Sequence, residues 1–371
     1  MADPLRVRLS TYSTKPRGGV VHTLALAEAL AAAGHDVTVY SLARGGDTGF
    51  FRRVDPRVRV HLVPVPDLDG EPVGARILRS IDLLAGALAQ APDAGIRHAQ
   101  DCLSANAEGR AHGYRSLLRT VHHVDEFSTP ELVACHERAI VSPAALVCVS
   151  RAVAAEVEAG WGRHATVIGN GVDAARFAAA DGSPWRDRFG RYVLSVGGIE
   201  PRKGTADLIA AMALLPGLRL VIGGGETLFD YRDYRASVLA EAARLGVTPE
   251  ILGPVDDDDL PGLMAGAAAF AFPSVKEGFG LAAMEALAAG VPLVTRDLPV
   301  LREVFGPAAR FAADPAGFAA ELGAAVAGED PVRERAGREL ADRHSWTAAA
   351  DRHVRLYREF AATGSACSSA P

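Results

Sequence analysis

Residues 5–41 read LRVRLSTYSTKPRGGVVHTLALAEALAAAGHDVTVYS, and the order of patterns in them sets the fold class. Leu5–Ser10 is a short β-prone run, and Ser13–Gly19 is rich in turn formers. From Val20 to Ala33 the spacing becomes helical, with Val20, Leu24, Ala27 and Leu30 on one stripe. Gly34 stops that helix, and Asp36–Ser41 alternates as a strand. Strand, glycine loop, helix and strand in this order open a doubly wound parallel sheet of an α/β protein.

The pattern continues outward. Val58–Val65 is another strand and Pro72–Gln90 is mostly helical. Ile96–Gln100, Ser116–His122 and Leu146–Val149 read as short buried strands separated by helical stretches, and Ser150 caps a helix over Arg151–Ala159. Thr166–Ile168 leads to the turn Gly169–Asp173. The weakly patterned Ala174–Arg191 then reads as an interdomain connection. A second series starts with the strand Tyr192–Val196, the turn Gly197-Gly198 and the helix Thr205–Leu214. Arg219–Ile222 runs into Gly223-Gly224-Gly225, followed by a helix over Arg232–Leu245. Ile251–Leu252, a helix near Asp258–Ala268, the strand Ala269–Phe272, the helix Leu281–Ala289 and the strand Val291–Thr295 complete it. The expected organisation is two Rossmann-like domains, 1–175 and 176–345. A last helix over 346–362 returns to the first domain, and the tail 363–371 is expected to be disordered.

Composition narrows the function. With 371 residues, 49% apolar and 23% charged, the chain is neither disordered nor fibrous and can bury two cores. A net charge of -6 argues against a nucleic-acid binder, which needs a basic surface. No apolar run approaches the roughly 20 residues of a membrane-spanning helix. The four cysteines show no metal spacing, so reduced thiols in a soluble cytoplasmic protein are expected. Of 39 basic residues only Lys15, Lys203 and Lys276 are lysine, and all three lie close to glycines in expected loops.

The most informative loop is Pro273–Gly290, PSVKEGFGLAAMEALAAG. A strand ends at Phe272 and a helix begins near Gly280, so unpaired backbone N–H groups are presented where phosphate or sugar hydroxyls bind well. Gly278 and Gly280 permit close approach of a ligand. Glu277 and Glu285, eight positions apart near one helix start, can bind two separate sets of hydroxyls. Arg202-Lys203 follow a strand and a Gly-Gly turn, and two cations at a helix start argue for an anionic ligand. Asp256–Asp259 invites a metal reading, but four successive aspartates cannot all face one ion. Capping of the next helix by Asp258 or Asp259 is the plainer expectation, and no metal site is assigned.

EGFGLAAMEAL with its Glu277-x7-Glu285 spacing, followed by GVPLV and LPVLREV, resembles the signature of the retaining family 4 glycosyltransferases of GT-B fold. GGIEPRKG at 197–204, NGVD at 170–173 and HSWTAAADRHVRLYREF at 344–360 resemble further parts of that family in the same order. The resemblance implies two Rossmann-like domains facing across a cleft, with acceptor on the first and donor on the second. It implies sugar transfer from a nucleoside diphosphate sugar to an acceptor hydroxyl with retention, needing no cofactor or metal. A UDP-sugar is slightly favoured over a GDP-sugar, and the acceptor is a small molecule or glycan.

Residue by residue, the resemblance places Glu277 at the donor sugar near the departing phosphate. It has Phe279, Gly280 and Leu281 offering backbone N–H groups, and Glu285 taking both ribose hydroxyls. Gly18 and Gly19 let the first loop approach the donor phosphates or the acceptor, and Val255 lies where relatives hold the nucleobase. His122 faces the donor sugar and joins Glu277, Arg202 and Lys203 as a catalytic candidate. Asp125, His98 and Asp101 are acceptor-side candidates. A phosphorylase or epimerase of the same fold, or a silent sugar-nucleotide-binding subunit, are the alternatives. Oligomeric state is left open.

Overall fold

The computed structural model describes residues 3–225 and 231–368. The chain divides into two compact units: Met1–Gly171 with Trp346–Pro371, and Val172–Ser345.

The first unit runs β1 (Arg6–Thr11), α1 (Gly18–Ala32), β2 (Asp36–Arg44), β3 (Arg59–Val65), α2 (Val73–Ala89) and β4 (Ile96–Ala99). It continues through α3 (Cys102–His112), β5 (Leu117–Val121), α4 (Pro130–Val141), β6 (Ala145–Cys148), α5 (Arg151–Trp161) and β7 (Thr166–Val167). Its parallel sheet has the order β3-β2-β1-β4-β5-β6-β7, so the winding direction reverses between β1 and β4. The stripe expected on the first helix is fully buried: Val20, Leu24, Ala27 and Leu30 are all 0% exposed. Beneath α3, Glu108 accepts from Arg8 Nε at 3.0 Å and Nη2 at 3.2 Å, so the buried Arg8 guanidinium ties α3 to β1.

The second unit begins with α6 (Ala174–Ala178) and α7 (Ser183–Phe189). It goes on through β8 (Tyr192–Val196), α8 (Thr205–Met212), β9 (Arg219–Gly223), α9 (Arg232–Arg244), β10 (Glu250–Gly253), α10 (Leu260–Ala265) and β11 (Ala269–Phe272). It ends with α11 (Leu281–Ala288), β12 (Leu293–Arg296), α12 (Pro299–Phe305), β13 (Ala309–Ala312), α13 (Pro315–Ala327) and α14 (Pro331–Arg343). Its parallel sheet has the order β10-β9-β8-β11-β12-β13, with the reversal between β8 and β11.

Four expectations shift. Residues 174–191 are not a connection but part of the second unit: Phe177 and Phe189 are buried, and Gly182 packs against the backbone of Gly266. The division falls at Gly171/Val172 rather than after 175. Gly18 and Gly19 are the first residues of α1, not loop residues. The last helix, α15 (Trp346–Ser368), runs beyond 362 into the stretch expected to be disordered, while 369–371 lie outside the described residues. No helix among the described residues is long and apolar enough to cross a membrane.

α15 completes the first unit's core, where Ala350, Val354 and Tyr357 pack with Leu26, Leu30 and Val37. Four histidines crowd at this seam. His22 lies 4.8 Å from His122 and 6.1 Å from His353 between ring centroids, and His353 lies 5.7 Å from His98. His98 Nδ1 meets Tyr357 Oη at 2.7 Å and its Nε2 meets Thr120 Oγ1 at 2.8 Å. Burial holds His22 and His98 well below the ordinary histidine range, His122 down to about 3 and His353 to about 4.

These imidazoles stay neutral in the fold, while the same groups in the unfolded chain take up protons near pH 6.5. Stability is therefore expected to be level above about pH 7 and to fall as pH drops from about 6.5 towards 4, where the unfolded chain binds more protons. Denaturant midpoints measured across that range check this, and a flat profile contradicts it. Tyr357→Phe strands the buried His98 Nδ1 and is expected to cost about 1–3 kcal/mol of unfolding free energy.

Candidate functional site

In an open α/β sheet the loops leaving the two strands beside the reversal splay apart and leave a crevice at their carboxyl ends. In the second unit those loops follow β8 and β11. The first carries Arg202 and Lys203 in a 3-10 turn, Pro201–Lys203, and the second carries Glu277. They meet: Lys203 Nζ donates to Glu277 Oε1 at 2.7 Å, and Arg202 Nη1 donates to the same oxygen at 3.2 Å. Arg202 Nη2 also donates to the buried Glu200 Oε1 at 3.3 Å, and its carbonyl accepts from Val275 N at 2.9 Å. The Lys203 ammonium lies 5.5 Å from the centroid of the Phe272 ring.

Glycines make this proximity possible. A Cβ on Gly204 would lie 2.2 Å from Pro273 O, and one on Gly224 would lie 2.4 Å from the carbonyl carbon of Gly197. The triple glycine after β9 is thus a packing device: its backbone rests directly on the Gly197-Gly198 turn. A Cβ on Gly223 would lie 2.9 Å from Val255 Cγ2, so the segment expected to hold a nucleobase closes onto the end of β9.

At the start of α11, Gly280 takes a left-handed φ of 97° and no side chain caps the helix. Phe279 is buried against His344 at 5.7 Å between ring centroids, leaving its backbone as the part able to serve a ligand. Within α11, the carboxyl of the half-buried Glu285 is pushed up to about 7, first by burial and then by Asp257, against the pull of Arg176. Arg176 and Asp257 are paired at 2.8 Å. Asp259 stands at the N-cap of α10 but makes no capping bond, so the expected cap is absent, and Asp257 serves Arg176 instead. Among the described residues no cluster of His, Cys, Asp or Glu is arranged to hold a metal ion.

In the first unit, Gly19 and His122 come together: a Cβ on Gly19 would lie 3.2 Å from His122 Cδ2. The His122 Nε2 is buried without a hydrogen-bond partner, whereas His123 pairs with Asp125 at 3.0 Å. The acceptor-side assignment of His98 does not hold. It is 0% exposed and Tyr357 and Thr120 occupy both ring nitrogens, so it is a core histidine. Asp101 is the N-cap of α3, accepting from Ser104 N at 2.8 Å in a reciprocal capping box, and burial raises its carboxyl.

Sequence reasoning missed Glu200, Arg176, Asp257 and Gln100. Gln100, at the end of β4 and 1% exposed, has a side-chain amide with neither atom hydrogen-bonded. Arg176 and Asp257, 81 positions apart, meet only through the fold, whereas Glu200 pairs with Arg202 two positions on, within the same turn.

The raised carboxyl of Glu285 has a testable sign. Ionising near pH 4.5 when unfolded and near 7 when folded, it holds an extra proton in the fold between those values, so its contribution falls as pH rises through them. Glu285→Gln, which cannot ionise, is expected to gain thermal stability over the parent from pH 5 to pH 8. A melting-temperature gap that stays constant with pH contradicts this.

Residues 16–176 match the family model described as Glycosyltransferase Family 4, and residues 187–337 match the one described as Glycosyl transferases group 1. The phosphatidyl-myo-inositol mannosyltransferase of Mycobacterium leprae (strain TN) is 32% identical over 212 residues, 55% of this chain and 56% of that protein. The chain thus spans about half the length of this curated relative. Sucrose-phosphate synthase from Thermosynechococcus elongatus superposes with a TM-score of 0.78 at 20% identity, over 96% of this chain and 99% of that one. Anabaena Alr3699/HepE, solved in complex with UDP and glucose, gives 0.74 at 19% identity over 95% and 99%. These structures share the fold, which is GT-B. One family model matches within each half, in the order the motifs run, and the chain belongs to the family 4, or group 1, glycosyltransferases.

Proposed function

We propose that this protein transfers a hexosyl unit from a nucleoside diphosphate sugar to an acceptor hydroxyl, with retention at the anomeric carbon and without a metal. The observation that carries the reading is the meeting of Arg202, Lys203 and Glu277 at the reversal of the second sheet, one loop from an uncapped helix start. Two cations converging on one carboxylate oxygen form a seat for a dianion, and the diphosphate is the anion such a donor brings. The mannosyltransferase name of the relative and the UDP and glucose of the Anabaena structure support a sugar nucleotide, with UDP-sugar the first donor to try.

In this reading the diphosphate displaces Glu277 from Lys203 and Arg202, which frees that carboxylate for hydroxyls of the donor sugar. The Phe279–Leu281 backbone N–H groups bind the same phosphate and sugar, Glu285 accepts from both ribose hydroxyls, and Val255 flanks the base. The acceptor oxygen attacks the anomeric carbon on the face from which the diphosphate departs. Its proton passes to a departing phosphate oxygen, so no enzymic nucleophile is required. Arg202, Lys203 and the α11 start stabilise the charge gathering on that phosphate. His122, held neutral by burial, acts as a hydrogen-bonding group rather than a cation. Asp125, on the loop after β5, is an acceptor-side candidate.

Calorimetric titration with UDP, GDP, ADP and dTDP and their sugar conjugates, in EDTA, tests the reading. One nucleotide is expected to bind, and binding by none of them sinks it. Lys203→Ala is expected to slow turnover on the order of 10²-fold. Nucleotide affinity is expected to be constant above about pH 7 and to weaken up to about tenfold per unit below it, as Glu285 takes up a proton. In Glu285→Gln that pH dependence is expected to vanish together with most of the affinity.

A further inference from the structure

The two loops that meet at Lys203 and Glu277 are joined below by a residue that touches neither ion pair. Arg296, the last residue of β12, is 7% exposed. Its guanidinium donates to Pro273 O from Nε at 3.1 Å and from Nη2 at 3.0 Å. Nη1 donates to Ala313 O at 2.8 Å, beyond the end of β13, and Nη2 also pairs with Asp207 in the first turn of α8. The face of the cation rests 5.2 Å from the centroid of the buried Phe318 ring on α13.

Pro273 is the first residue of the loop that leads to Glu277, and Asp207 lies four residues beyond Lys203. Gly204 is wedged between them, its missing Cβ position 2.2 Å from Pro273 O and 3.2 Å from Arg296 Nη2. One planar cation thus fixes the base of the Glu277 loop, the helix that follows Lys203 and the end of the neighbouring strand. A lysine has one ammonium and no fork, so it cannot reach these three acceptors in one plane.

We propose that Arg296 is a positioning residue for sugar transfer: it sets the spacing between the Arg202–Lys203 turn and the Glu277 loop. The proposal rests on reading that pair of loops as the donor site. Misplacement by about 1 Å of groups aimed at a developing charge can cost on the order of 10²-fold in rate, so the effect belongs in kcat. The ribose-binding Glu285 sits on α11, which Arg296 does not touch, so nucleoside monophosphate affinity is left as it was.

The test compares the parent, Arg296→Lys, Arg296→Ala and Asp207→Asn by kcat, KM for the sugar nucleotide and calorimetric affinity for the nucleoside monophosphate. All assays run well below each variant's melting temperature. Arg296→Ala is expected to lose on the order of 10²-fold in kcat with monophosphate affinity within about threefold, and added guanidinium is expected to restore part of the rate. Arg296→Lys is expected to be impaired despite its charge, and Asp207→Asn less so. Folded Arg296→Lys and Asp207→Asn with parental kcat and KM overturn the proposal, including when Arg296→Ala does not fold. If the parent neither binds nor turns over any sugar nucleotide, the donor-site reading itself has failed and the proposal falls with it. A working parent beside unimpaired variants sinks the proposal alone.

Discussion

Two cations brought to the same end of a parallel sheet repel each other and draw in any anion within reach. In the second unit Arg202 and Lys203 are that pair, and Glu277 Oε1 is the anion both converge on. Their closeness dictates much of the surrounding structure. The backbones of the loops after β8 and β11 come closest where a side chain is missing, at Gly204 against Pro273. The β8 loop can lean on the end of β9 only because Gly224 has nothing to collide with Gly197. On the proposed reading, a carboxylate shared by two donors is a weak substitute for the diphosphate, which carries more charge and more acceptor oxygens. The arrangement is held in shape by an ion pair that a better anion can replace.

The same unit keeps a second carboxylate in the opposite condition. Glu285 is shielded from solvent and has Asp257 among its neighbours, so its charge is disfavoured. Glu277 is stabilised by what surrounds it, Glu285 is not, and they sit eight residues apart around one helix start. Glu285 stands to gain from partners that donate hydrogen bonds without bringing charge, which is the chemistry of a diol. On the proposed reading, folding and binding make opposed demands on that residue, and such conflicts are expected where a site does chemistry.

Much of this was legible in the sequence, for identifiable reasons. Most strands and long helices of both sheets announced themselves because burial on one or both faces imposes a period, as with Val20, Leu24, Ala27 and Leu30, whereas β13, α13 and α14 went unread. The Lys203 and Glu277 loops stood out because glycines mark backbone that must pass close to something. What stayed hidden depends on neighbours far away in sequence. Ala174–Arg191 is short and alanine-rich, and its packing shows only in the fold, where Phe177 and Phe189 are buried and Gly182 lies against Gly266. His98 and Asp101 end a strand as ligand residues do, yet Tyr357, 259 positions from His98, and the capping of α3 claim them. No local pattern distinguishes a histidine facing a cleft from one sealed by the last helix.

Lysine usage sharpens the point. With 36 arginines and three lysines, arginine fills nearly every basic position, so a retained lysine invites a local reason. At Lys15 there is little: the side chain is largely exposed and pairs with Asp47 at the surface. Lys276 lends the site its carbonyl, which accepts from Arg202 at 3.2 Å. Lys203 differs. The missing Cβ of Gly197 would lie 3.2 Å from its Cε, and its ammonium ends 2.7 Å from Glu277. The slender lysine stem passes directly over Gly197, where a Cβ would crowd it. A compact point charge can also turn from carboxylate to phosphate without reorienting a fork. Arg296 has the contrary task of holding three acceptors in one plane for as long as the fold lasts. The two residues divide the labour by shape, the mobile charge above and the fixed one beneath.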